Sequence, residues 1–204
     1  MTNKNINNNG HDFVNLNLPS GTLWATANVG ASEPTDFGLY FQWGDTKGYT
    51  SNQVGETKGK KYFGWEDYKW NIDSGKYTTY GSMLELKDDA AHVHMGGEWH
   101  IPTPEQVKEL VDNTTSKWKR VNGVRGRLFT SKKDKTKSIF IPSAGYMGLG
   151  ALKGKGSLGE IWTSKVGSYL SCTAEMLDFG RGHVIQQAFY RSAGLLVRGV
   201  ITVH

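Results

Sequence analysis

The chain is predicted to fold as an α+β domain, with two helices in the N-terminal half and short antiparallel strands joined by long loops. Three observations lead there. Its 26 glycines and 12% aromatic residues, against only five prolines, favour short strands, tight turns and irregular loops over long helices. Helix start signals occur at two places, Asp88 and Thr103. Beyond residue 115 the apolar runs are short and punctuated by glycine. A length of 204 residues suits one domain and is enough to bury a sizeable core.

Residues 1–10 are polar and Asn-rich, with too little apolar content to pack, and are predicted to form an arm ahead of a domain spanning 11–204. Phe13, Val14, Leu16 and Leu18 read as strand, Pro19-Ser20-Gly21 as a turn, and Thr22 to Gly30 as strand again. Phe37 to Trp43 predicts another strand. The Gly-, Lys- and Tyr-rich stretch from Thr46 to Tyr80 reads as loop. Trp65, Tyr68 and Trp70 either pin that loop to the body or stand exposed for stacking on sugars. Asp88 is expected to cap a short helix over 89–95 that Gly96-Gly97 stops. Thr103 as N-cap, Pro104 at the first helical position and Gln106 three residues after the cap predict a second. Val107, Leu110 and Val111 give it an apolar stripe, and Asn113-Thr114-Thr115 ends it. Strands are then predicted at Trp118–Val121, Arg127–Thr130 and Ser138–Pro142. Glycine-rich loops fill 145–159, before strands near Ile161–Ser164, Ala174–Phe179 and Leu195–Val203.

Catalytic signatures are weak. The run Gly148 to Gly156 fails as a phosphate loop, because Leu149 stands where the first glycine belongs and Gly156 follows Lys155 in place of Ser or Thr. No G-x-S-x-G elbow occurs. On a helix, His92 and His94 point in different directions, so with His100 they read as ordinary histidines and no metal is expected. Cys172 is the single cysteine, read as a small buried apolar residue, and no intrachain disulfide can form. The net charge of +5 comes with no basic and aromatic motif that reads nucleic acid. The lysines at 58, 60, 61 and at 132, 133, 135, 137 read as solvated loops. No run approaches membrane-spanning length, and the first residues lack an apolar signal core.

The strongest functional pattern lies in the last forty residues. Apolar and glycine positions (Leu177, Phe179, Val184, Gly194, Val197, Val200) alternate with a polar and aromatic set: Tyr169, Glu175, Asp178, Arg181, His183, Gln186, Gln187, Phe189 and Tyr190. Tyr and Arg supply large contact areas and adaptable hydrogen bonds, so this composition is that of a recognition face. These nine are the candidate ligand-binding residues; no catalytic residue, metal or cofactor is expected.

Several phrases together resemble a known family. They are His11 to Ala25, Tyr40-Phe41-Gln42-Trp43-Gly44-Asp45-Thr46, Tyr68-Lys69-Trp70 and Asp88-Asp89-Ala90-Ala91. Gly96-Gly97-Glu98-Trp99-His100-Ile101-Pro102-Thr103 is similar to a G-G-x-W-R-x-P-T motif, and Ser138 to Tyr146 to I-F-L-P-A-A-G-Y. Ile161-Trp162-Thr163-Ser164 stands where Y-W-S-S would, and Arg191, Gly194, Val197 and Arg198 fit a closing R-x-x-G-x-x-V-R-P-V. In this pattern the chain resembles the Fibrobacter succinogenes major paralogous domain family over about residues 11–200. Gly199 replaces the usual Pro and His100 the usual Arg.

The resemblance implies a C-type-lectin-like fold, similar to the variable proteins of diversity-generating retroelements, with 161–200 in the place of their varied segment. It also implies a gut-bacterial or phage setting. The tripeptides through which sugar-binding C-type lectins hold calcium are missing, so no structural calcium is expected. The expected function is non-enzymatic binding or adhesion to a bacterial cell-surface glycan or protein, as a phage receptor-binding or fibre-tip protein on a virion or at a cell surface. The alternative is a structural virion decoration protein, held to a virion or fibre partner through residues 1–10. A homo-oligomer such as a trimer is expected, with no nucleic-acid or membrane partner.

Overall fold

The computed structural model describes residues 9–71 and 74–202. The described chain runs through β1 (Phe13–Asn15), β2 (Thr22–Ala25), β3 (Tyr40–Gln42), α1 (Ala90–Met95) and α2 (Pro104–Asn113). Next come β4 (Thr114–Val121), β5 (Val124–Ser131), β6 (Ser138–Pro142), β7 (Tyr146–Gly148) and β8 (Ala151–Lys153). Last are β9 (Gly159–Val166), β10 (Thr173–Phe179), β11 (Val184–Tyr190), β12 (Gly194–Leu196) and β13 (Val200–Thr202). The class is mixed α+β, with strand dominating.

Helix α2 forms where its start signals are densest. The Thr103 hydroxyl accepts the Gln106 amide at 3.2 Å, and the Gln106 side-chain carbonyl accepts the Thr103 amide at 2.9 Å. Val107 and Leu110 are fully buried. The Gln106 side-chain amide also donates to the Thr202 and Thr22 hydroxyls, at 3.2 and 3.4 Å, which fixes α2 to β13 and β2.

At α1 the cap is Asp89, one residue after the predicted Asp88. Asp89 Oδ1 accepts the His92 amide at 3.0 Å and Oδ2 the Ile101 amide at 2.8 Å. Burial raises its carboxyl above the usual range. Asp88 ends the preceding short turn and is taken up by Lys69, Lys76 and the Tyr77 hydroxyl. Cations from the loop thus claim one of two adjacent aspartates and leave the other for the helix.

Three sheets form. The first has the order β1-β2-β13, all antiparallel. The largest runs β11-β10-β9-β12-β7-β8, with β3 also on β12. The third is β4-β5-β6. The single strand predicted over 195–203 is therefore two strands in two sheets. The predicted 37–43 strand is confined to Tyr40–Gln42, and the glycine-rich loop at 145–159 contains the β7–β8 hairpin. Edge strand β11 was not expected as a separate element. Cys172 is half-buried in the turn before β10, not in a buried strand.

Tyr68 and Trp70 do pin the long loop. The Tyr68 hydroxyl donates to Trp43 O at 2.7 Å, and Trp70 Nε1 to Gly44 O at 2.6 Å. Lys61 is not a solvated loop lysine, since its ammonium donates to Asp67 O at 2.6 Å and its side chain is largely buried. Residues 1–8 of the predicted arm, and 203–204, lie outside the described residues.

Alternation along the large sheet separates two apolar clusters. Trp162, Met176 and Leu195 join Trp43 and Trp99 on one side; Ile161, Leu177 and Leu196 join Phe129 and Phe179 on the other. Between β12 and β13 lies Arg198, fully buried. Its Nε donates to Asn28 Oδ1 at 2.9 Å, Nη1 to Ala25 O at 2.9 Å and Nη2 to Phe140 O at 3.1 Å. Burial without a carboxylate partner pushes the guanidinium pKa down to about 9.

Arg198→Met will leave three buried acceptors unpaired and cost about 3 kcal/mol or more in urea unfolding. Arg198→Lys, with one ammonium in place of the fork, will fall between. Thr103→Ala, which removes only a cap, will cost about 1 kcal/mol.

Candidate ligand-binding face

The hairpin β10–β11 carries most of the sequence-predicted residues, and its register decides which of them meet. Asp178 pairs with Ile185, Met176 with Gln187 and Ala174 with Phe189; between them Leu177 pairs with Gln186 and Glu175 with Ala188. Successive strand residues face opposite sides of a sheet. The nine residues therefore do not make one patch, which corrects the expectation of a single face.

Gln186 lies on the side covered by α2, and its amide donates to Pro104 O at 2.7 Å. Glu175 serves the 167–172 turn: its Oε1 accepts the Ser168 hydroxyl at 2.8 Å and lies 3.7 Å from the Lys165 ammonium. Tyr169 stands on that turn, 90% exposed. Arg181 is exposed in the β10–β11 turn, and its carbonyl accepts from Arg127 at 3.2 Å.

Asp178, His183 and Gln187 form a second group. Gln187 Nε2 donates to Asp178 Oδ2 at 2.7 Å, and His183 Nε2 lies 3.3 Å from Asp178 Oδ1. Directly across from Asp178 on β9 is Glu160, only 4% exposed, a residue that sequence reasoning missed. Glu160 Oε2 has no hydrogen-bond partner among the described residues. Burial, reinforced by the neighbouring Asp178, raises its carboxyl pKa from 4.5 to about 7.

Phe189 and Tyr190 form the third group and open onto a groove of about 460 Å³. Its other principal walls are Phe63 and Trp65 from the long loop, and Tyr146 and Leu149 from the β7–β8 hairpin. The Tyr146 and Phe189 rings meet edge to face at 5.0 Å, and Phe189 and Tyr190 lie 6.1 Å apart. Glu66, Lys153 and Ser192 supply polar groups at the lining.

Each wall has a local cause. Asp67 holds the loop: Oδ2 accepts the amides of Tyr62 and Phe63 at 2.9 and 3.1 Å, and Oδ1 that of Gly64 at 2.9 Å. Phe63 is thereby kept at φ +58, and its ring lies against Gly194. A Cβ at Gly194 would sit 2.2 Å from that ring, so only glycine admits it there. At the β7–β8 turn Leu149 has φ +51 and is 56% exposed. A branched side chain in that backbone region is unfavourable, and such strain gathers at functional sites.

The three histidines considered for zinc each meet a different carbonyl: His92 that of Trp99, His94 that of Thr46, His100 that of Glu98. Among the described residues no group of three His, Cys, Asp or Glu side chains is arranged to hold a metal ion, and no helix is long and apolar enough to cross a membrane.

Compared with known proteins, the chain matches no family model, no curated protein and no solved structure.

Glu160 makes stability depend on pH. A folded pKa above the unfolded value means extra proton uptake in the native state. Its stabilising contribution is therefore complete below about pH 4.5 and lost as pH rises through 7. Relative to Glu160→Gln, the native protein will lose about 3 kcal/mol between mildly acidic and mildly alkaline buffer, measured by urea unfolding at each pH.

Proposed function

We propose that the protein is a non-enzymatic carbohydrate-binding module on a C-type-lectin-like scaffold, acting at a bacterial cell surface as a phage receptor-binding or fibre-tip protein. The observation that carries this is the aromatic groove at the end of β11. Three segments far apart in sequence bring Phe63, Trp65, Tyr146, Phe189 and Tyr190 around one opening, with Leu149 exposed at its edge. Aromatic faces pack against the apolar face of a sugar ring, while Glu66, Lys153 and Ser192 can hydrogen-bond its hydroxyls. Phe189 and Tyr190 fall within the segment that the family resemblance marks as ligand-facing. The lectin-like scaffold rests on the motif resemblance and on the mixed α+β class.

A glycan array and intact gut-bacterial cells, probed with the multimerised protein, test this. Trp65→Ala, Tyr146→Ala and Phe189→Ala will each weaken binding about 5- to 30-fold with the circular dichroism spectrum unchanged. Gln186→Ala, which alters only a contact to α2, will bind as the native protein does. Binding that persists in the combined aromatic variant would remove the groove from the recognition face.

A further inference from the structure

Charge is distributed very unevenly along this chain. Between Lys117 and Lys137 lie nine basic residues and one acidic residue, a formal charge of +8, so the rest of the chain carries −3 of the total of +5. That segment is β4, β5 and the loop into β6, which together make nearly all of the third sheet.

Most of these cations are exposed and without a carboxylate; Arg127 is buried and donates to Gly180 O, and the Lys132 ammonium donates to Asp112 O at 2.6 Å. Lys117, Lys119, Arg120, Arg125, Lys133 and Lys135 are all exposed, and none has a carboxylate partner among the described residues. Elsewhere several lysines are matched: Lys61 with Asp67, Lys69 and Lys76 with Asp88, Lys108 with Asp112 and Lys165 with Glu175. The one acid in the segment, Asp134, is occupied by the Thr136 amide and hydroxyl.

Folding does not account for this arrangement. Arg120 and Arg125 stand directly opposite one another across β4 and β5, a like-charge pairing that destabilises a sheet. Lysines on edge strand β4 guard against edge-to-edge association. That role explains Lys117 and Lys119 but neither the opposed arginines nor the lysines of the 132–137 loop.

We infer that the β4–β5–β6 sheet docks a linear acidic polysaccharide. Lys117 and Lys119 stand on the outer face of β4, and Arg120 and Arg125 oppose one another on the other face at the hairpin turn. Lys133 and Lys135 lie just past the far end of β5, whose eight residues span about 27 Å. A single compact anion would engage one end only, whereas an extended polyanion neutralises both. Trp118 and Phe129 belong to the apolar cluster beneath and Phe140 is 6% exposed, so the sheet offers no free ring for stacking on bases. It also lacks the apolar centre that a protein interface buries. The surface is separate from the aromatic groove and extends the proposed function: it would concentrate the protein on an anionic coat by long-range attraction.

Calorimetric titration with heparin, polygalacturonate, neutral dextran and duplex DNA, at low and high salt, tests the assignment. The two acidic polysaccharides will bind, with affinity falling as salt rises, and dextran will not bind through this sheet. Combining Lys117→Gln, Lys119→Gln, Arg120→Gln and Arg125→Gln will weaken polysaccharide binding at least about tenfold. The melting temperature of that variant will stay level or rise, because the opposed arginines are gone. Trp65→Ala with Phe189→Ala will leave polyanion binding unchanged, separating this surface from the groove. Absence of polysaccharide binding, an unchanged quadruple variant, or DNA bound as tightly as the polysaccharides would each overturn the inference.

Discussion

The guanidinium of Arg198 is the junction on which the architecture depends. It reaches Ala25 at the end of β2, Phe140 on β6 and Asn28 in the loop after β2, and it sits between β12 of the large sheet and β13 of the first. All three sheets therefore converge on one side chain. A planar fork of fixed donors suits this, since three acceptors in different directions are satisfied without a second buried charge. The cost is a cation taken out of water with no carboxylate beside it, tolerable only because backbone dipoles surround it. Arg191 repeats the solution nearby, donating to Tyr77 O at 3.1 Å while lying 5.7 Å from the Trp43 and Tyr68 ring centres. The long loop is thereby tied to the same core that joins the sheets.

Local chemistry was legible in the sequence wherever the cause is local. The capping box at Thr103 and Gln106 defines α2 within a few residues, and the Val107–Leu110 stripe identifies its buried face. Strands β5, β6, β9 and β10 follow from apolar runs. Failures occur where short-range rules are degenerate. Asp88 and Asp89 satisfy the same capping rule, and only the lysines of a distant loop distinguish them. Strand β11, Val-Ile-Gln-Gln-Ala-Phe-Tyr, is an exposed edge whose pattern lacks clean alternation. Strands β7 and β8 are three residues each within a glycine-rich run, too short for periodicity to register.

The candidate site was legible only in part, for a geometric reason. Neighbours in sequence were grouped as one face, but a period of two sends Gln186 toward α2 and Gln187 toward Asp178. Conversely, Phe63 and Tyr146 reach Phe189 from segments more than forty residues away, and no local pattern announces that meeting. The sequence does carry a signal for Tyr146, which ends one of the family-like motifs, and for Trp65, since exposure for stacking on sugars is one of the two readings of its stretch. Glu160 gave none, because its unusual environment is created by burial and by Asp178 on the adjacent strand.

The order of synthesis meets an unusual demand in the first sheet. Strand β2 finds its partner β13 about 180 residues later, and Arg198 must arrive before Ala25 and Phe140 have their buried carbonyls satisfied. Until then the nascent chain carries apolar strands near its beginning with one edge unclaimed. Closure is a long-range event, slow compared with formation of the β4–β5 and β10–β11 hairpins. The emerging protein is thus a set of early hairpins held open, and residues 194–202 act as the clasp. Loss of those residues would leave not a slightly shortened domain but a β1–β2 pair without its third strand and a large sheet split between β9 and β7.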